Sequence, residues 1–144
     1  MNRVENTLRL VFDGYWREVN KRWIPPFAGV YCVYACVYVE AEQKVWLRRL
    51  VSIEHSENIA LAVANPENLL SWKAGLASNE TLCYSFAPLT DANLRAKACA
   101  YLVREILPSQ FDPASAEETV TVRVDGMVAF LDKVNVRLET RSGT

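Results

Sequence analysis

Apolar and polar positions alternate loosely through Thr7-Leu8-Arg9-Leu10-Val11-Phe12, and a first strand is predicted over residues 6–12. Asp13-Gly14 is expected to break it. Residues 15–24 lose the alternation and mix aromatic with basic side chains, among them Tyr15, Trp16, Arg17, Lys21, Arg22 and Trp23. Pro25-Pro26 then forces an extended approach to the next element. From Gly29 the pattern changes again. Val30 to Val39 is almost wholly apolar and rich in β-branched and aromatic residues, as expected of a strand covered on both faces. Glu40-Ala41-Glu42-Gln43 supplies a polar turn, and Val45, Leu47, Leu50 and Val51 resume the pattern. The prediction is a long central hairpin pairing 29–39 with 44–53.

Helical spacing follows. Ser56 is a candidate cap for a short helix over 57–64. Asn65-Pro66 ends that helix and starts another, with Asn65 as cap and Pro66 at the first helical position. There Leu69, Trp72 and Leu76 share a face. Thr81 to Phe86 predicts a short strand closed by Pro88. Thr90 or Asp91 caps a long helix to about Leu107, with Ala96, Cys99, Val103 and Ile106 aligned, and Pro108 stops it. Phe111 to Ser115 is a loop. Thr119 to Val124 alternates cleanly, Asp125-Gly126 is a hairpin turn, and Met127 to Val134 is its return strand. With no internal repeat or linker, residues 1–144 are expected to form one α+β domain. Its architecture would be a small, mainly antiparallel sheet with a central hairpin flanked by helices and an extra C-terminal hairpin.

Composition narrows the function classes. The 144 residues suffice for one domain with a sizeable core, and half of them are apolar. The net charge of -1 provides no bulk positive field for a polyanion. The imbalance is local: residues 1–55 carry eight Lys/Arg against six Asp/Glu. The cysteines Cys32, Cys36, Cys83 and Cys99 form no CxxC pair and meet a single histidine, His55. Buried free thiols in a reducing compartment are therefore expected, and no metal site. Met1-Asn2-Arg3-Val4-Glu5 has no apolar core of a signal peptide, and Val30 to Val39 is too short to span a bilayer. The expectation is a cytoplasmic chain with no membrane partner.

Gly29-Val30-Tyr31 resembles the first signature of the GIY-YIG nuclease superfamily. The order of strand, hairpin partner and helix matches as well. The resemblance is closer to a small bacterial GIY-YIG-like subgroup, carried by Ala28-Gly29-Val30-Tyr31-Cys32-Val33-Tyr34 and Ser52-Ile53-Glu54-His55-Ser56-Glu57-Asn58-Ile59. Glu80-Thr81-Leu82-Cys83-Tyr84-Ser85-Phe86-Ala87-Pro88 and the region of Glu118-Thr119-Val120 extend it over most of the chain. The resemblance implies an endonuclease frame using two tyrosines, an arginine on the first helix and a metal-holding glutamate on a later one. Those groups activate water, offset phosphate charge and hold magnesium or manganese.

The catalytic positions are degenerate. Tyr31 is the only family-type residue retained. Ser52 stands at the second tyrosine, Glu54 at the following glycine, Ala62 at the arginine, and Pro66 at a histidine of the subgroup. Lys97 or Cys99 stands at the metal glutamate, and neither is a hard oxygen ligand. The reading is a catalytically inactive domain without a cofactor, binding nucleic acid or another protein. Two alternatives stand beside it. One is a divergent endonuclease with a rearranged site near Arg48, Arg49, Glu54 and His55, which would need magnesium or manganese. The other is a protein-interaction module with no nucleic-acid role.

The binding candidates are Tyr31, Arg48, Arg49 and His55, each with a plainer reading. Tyr31 is also one aromatic among several in an apolar hairpin, and His55 is also a surface or capping histidine. Ser52, Glu54 and His55 invite a Ser/His/acid grouping, but no nucleophile elbow accompanies them. Trp16-Arg17 with Lys21-Arg22-Trp23 has the basic-aromatic composition that suits single-stranded nucleic acid, or else a solvated face with half-buried tryptophans.

Overall fold

A computed structural model describes residues 7–112 and 120–126 of the chain. Five strands form one sheet: β1 Thr7–Arg17, β2 Gly29–Val39, β3 Lys44–Ser56, β4 Thr81–Pro88 and β5 Thr121–Gly126. Their order is β3-β2-β4-β1-β5. The β2–β3, β2–β4 and β1–β4 pairs are antiparallel, and β5 joins β1 in parallel. Among the described residues three α-helices accompany the sheet: α1 Ile59–Ala64, α2 Pro66–Lys73 and α3 Ala92–Ile106. The architecture is α+β, as the patterning predicts.

The apolar run keeps its promise. Gly29 to Cys36 is buried throughout, because β2 lies between two paired strands and both of its faces are covered. On one face Val30, Cys32, Tyr34, Cys36 and Ile53 pack with Ala98, Cys99, Leu102 and Val103 of α3. On the other Tyr31, Val33, Tyr84 and Phe86 pack with Ile59 and Val63 of α1 and Trp72 of α2. Buried Tyr34 satisfies its hydroxyl on Ser85, 2.9 Å away. Within the sheet the predicted hairpin sits at one side: β3 is an edge strand and β4 is central.

Local chemistry moved several boundaries. Asp13-Gly14 does not end β1. The strand runs on to Arg17 and absorbs the interruption as a register shift between Gly14 and Trp16. Ser56 does not cap α1. Asn58 does, its side chain accepting from the Leu61 amide, while the Ser56 hydroxyl accepts from the Asn58 amide. Asn65 caps α2 with Pro66 at its start, and Asp91 caps α3, as their side chains and positions predict. On α3 the inward face is Arg95, Ala98, Cys99, Leu102 and Val103, one position round from the predicted stripe of Ala96, Cys99, Val103 and Ile106. Lys21 and Glu18 form an ion pair of 2.9 Å in the 3-10 helix Glu18–Trp23.

Asp125 and Gly126, read from the sequence as a turn, lie in β5 opposite Val11 and Phe12, and Gly126 ends the strand with a φ of +97°, a conformation that favours glycine. The predicted return strand Met127 to Val134 lies outside the described residues. No helix among the described residues is long and apolar enough to cross a membrane.

Candidate functional site

Tyr31, Ser52, Glu54 and His55, all singled out by sequence, gather where the end of β3 meets β2 and α3. The β2–β3 register sets Tyr31 opposite Glu54, Val33 opposite Ser52 and Val30 opposite His55. Alternation then divides them. Ser52, Glu54 and Tyr31 lie toward the face that α1 and α2 cover, and His55 toward the face that α3 covers. A Ser/His/acid array does not form, because Ser52 and Glu54 share one face and His55 turns to the other.

Tyr31 is only 3 % exposed, and its ring meets Trp72 edge-on at 6.1 Å between centroids. Burial, then the Glu54 carboxylate, pushes its phenol well above the ordinary tyrosine range. Such a phenol is a poor general base at neutral pH. The Ser52 hydroxyl donates to Glu54 and also lies 3.1 Å from Gln110 Oε1.

Gln110 is a residue that sequence reasoning missed. Its side-chain amide accepts from Ile53 N–H at 3.2 Å and donates to Ile53 C=O at 2.6 Å. It thereby takes the place that a neighbouring strand's backbone would take along the open edge of β3. Cys99 adds its thiol to the same carbonyl at 3.6 Å. Burial, then Glu54, pushes that thiol up to about 12. No local pattern in Pro108-Ser109-Gln110 announces this role, because its partner lies 57 residues earlier.

A prediction follows for that edge. Gln110→Ala removes both bonds and should cost about 1–2 kcal/mol of stability. Exchange of the Ile53 amide should accelerate about tenfold or more. Hydrogen exchange read by NMR checks this, and unchanged protection at Ile53 would contradict it.

The remaining candidates divide between structure and surface. Ala62 on α1 packs beside the Tyr31–Trp72 cluster, and its carbonyl accepts from Asn68. Lys97 is half-buried on α3. Arg49 is tied to Glu80 at 3.0 Å and to the Gly75 carbonyl at 2.6 Å. The Ala77 amide, and after it Arg49, holds Glu80 below the ordinary carboxylate range. Arg48 is exposed.

In the basic-aromatic segment, Trp16 is half-buried against Phe86 and Arg17 lies 3.7 Å over the Tyr38 ring. Trp23 is 65 % exposed with Arg22 beside it, so that pair faces solvent.

His55 reaches the surface, yet its proton affinity lies below the ordinary histidine value. Partial burial is the first cause and the nearby Arg95 guanidinium the second, with Glu54 opposing both. Arg95 is the second residue that sequence reasoning missed. The signal was present: Arg95, Ala98, Cys99 and Leu102 follow the i, i+3, i+4, i+7 spacing of a buried helix face.

Among the described residues no three His, Cys, Asp or Glu side chains come together as metal ligands. The donor set at the positions implied for magnesium or manganese does not fit either ion. Glu54 is its one carboxylate, bonded to Ser52, beside a thiol that is directed at a carbonyl. Comparison with family models, with curated proteins and with solved structures finds no match to this chain.

Proposed function

We propose that the chain is a catalytically inactive GIY-YIG-like domain that works by binding. One observation carries the reading: the positions that the resemblance ties to hydrolysis are occupied by side chains engaged in holding the fold. Tyr31 is packed on Trp72, Ser52 bonds Glu54, Ala62 lines a core, and Cys99 bonds the edge strand. Activating water, offsetting phosphate charge and holding a metal each need a free polar group at those places. Removing one such group from a working site typically costs on the order of 10²–10³ in rate.

A plasmid-nicking assay tests the proposal. With magnesium or manganese supplied, the purified protein is expected to leave supercoiled DNA uncut. Cutting that disappears in Tyr31→Phe would sink the reading and restore the endonuclease alternative.

The nature of the partner divides on surface chemistry. The exposed Arg22–Trp23 pair suits base stacking and gives nucleic acid its support. A protein partner is favoured by other exposed apolar side chains, Val19, Leu61 and Leu70, and by the net charge of -1. Retention on immobilised DNA across a salt series separates the two. A protein-only module gives a slope near zero, and phosphate-driven binding a steep one.

A further inference from the structure

Among the described residues Arg95 is a charged group without a counter-charge. The residue is 4 % exposed, in the second turn of α3. Its Nη1 donates to two neutral acceptors, the Thr90 carbonyl at 2.9 Å and the Leu89 carbonyl at 3.4 Å. Its Nε is buried and meets no hydrogen-bond partner among the described residues. No carboxylate among the described residues forms an ion pair with it. Buried cations in folded proteins are ordinarily paired and hydrogen-bonded, because desolvating an uncompensated charge is costly. A guanidinium held by carbonyls on one side, with a donor left over, is suited to bind an anion.

The topology brings a second donor beside it. Gly29 pairs with Ser56 on β3 and with Pro88 on β4, and the Leu89 amide donates to the Ala28 carbonyl at 3.0 Å. The end of β3 and the Leu89-Thr90 turn therefore stand at the same end of the sheet. The α3 helix begins just after that turn and packs across β2 and β3. His55 sits on the face that α3 covers, reaches solvent, and is close enough for Arg95 to disfavour its protonation.

We propose that Arg95 and His55, at the start of α3, form a binding site for a phosphate-class oxyanion. Arg95 supplies the buried charge at its base and His55 a second donor at its mouth. The positive end of the α3 dipole adds to the same field. Two carboxylates bear on the site and set its limits. Glu54 neighbours His55 on its own strand, and Asp91 caps α3 by accepting from the Leu94 amide. A planar, always-charged guanidinium matches phosphate geometry better than an ammonium would. The inference deepens the binding reading by naming a ligand class. It rests on Arg95 rather than on the resemblance, so nicking activity and phosphate binding can fail separately.

His55 is the only histidine of the chain, so its ring signals in an NMR spectrum are unique. The intact protein is titrated with inorganic phosphate against sodium chloride at matched ionic strength. The expected result is a saturable shift of the His55 signals, with the proton affinity of the ring raised about tenfold at saturation. A second arm uses a short oligothymidylate without a terminal phosphate. Saturation by inorganic phosphate alone assigns a small ligand, and saturation by both assigns the backbone of a strand. Arg95→Met should abolish saturation. His55→Gln, a change at the surface, should weaken phosphate about tenfold by calorimetry. Shifts in the wild-type protein that stay linear and equal in phosphate and chloride overturn the proposal, as does saturation that survives in Arg95→Met.

Discussion

Gly29→Ala is expected to destabilise the fold by about 3 kcal/mol or more, an effect at the top of the usual range for overpacking. The reason is space. A β-carbon on Gly29 would run into the Ala87 carbonyl oxygen of β4 and stand 2.9 Å from Ile59 Cδ1 of α1. The oxygen belongs to a backbone fixed by the β2–β4 ladder, so it cannot swing aside as a flexible side chain would. Gly29 opens a strand that is buried between two partners, and moving it disturbs both ladders. Urea unfolding of wild type and variant measures the effect. A loss below about 1 kcal/mol would mean that β2 and β4 have room the structure denies. Close packing by itself thus accounts for glycine at position 29.

The second large effect falls on Trp72. Its ring is the hub of the aromatic cluster on the α2 side, lying 6.1 Å from Tyr31 and 6.2 Å from Tyr84. Trp72→Ala should cost about 3–5 kcal/mol, since the indole is buried and its removal leaves a cavity among fixed rings. Trp72→Phe keeps an aromatic at the same place and should recover a good part of the loss. Denaturant midpoints of the two variants decide the matter. Equal midpoints would show that the cluster does not hold Tyr31. The pair of variants bears on function too, because a Tyr31 fixed by packing is a different object from a Tyr31 poised for chemistry.

Much of this was legible before any coordinates. The β2 run reads as buried because ten apolar positions in sequence leave no polar face, and the structure buries it as far as Cys36, with Val37 to Val39 half-buried. Asn65-Pro66 read correctly, and Asp91 proved to be the cap of the two offered with Thr90, because capping is local and depends on side chains within three residues of the helix start. What failed was equally physical. Asp13-Gly14 looked like a stop, but the β4 ladder on β1 tolerates a bulge where a lone strand would end. The parallel partnership of β5 with β1 joins residues more than a hundred positions apart, and no local pattern encodes it. Gln110 and Arg95 escaped for different reasons. The first acts through a long-range contact on an open edge. The second was visible in the helical spacing, but a charged residue on an apolar face is read by default as an outward one.

For the candidate site, the sequence named residues that lie close together and left open which face each one takes. Tyr31, Ser52, Glu54 and His55 do meet at one end of the sheet, as their spacing suggests. Which face each one takes depends on the β2–β3 register, and that register carries two shifts that only the paired strands reveal. Arg49, a binding candidate by sequence, is engaged with Glu80 and Gly75. Arg48 remains at the surface, as a basic residue on an edge strand often does.

The central claim is that no metal-held hydrolytic centre exists around Tyr31 and Glu54. Manganese titration of the intact protein, followed by NMR line broadening, tests it most directly. Only diffuse broadening spread over exposed carboxylates is expected, with Tyr31, Glu54 and Cys99 no more affected than remote core positions. Saturable broadening centred on Glu54 and Tyr31, displaced by magnesium, would contradict the account and place a metal where a nuclease needs one.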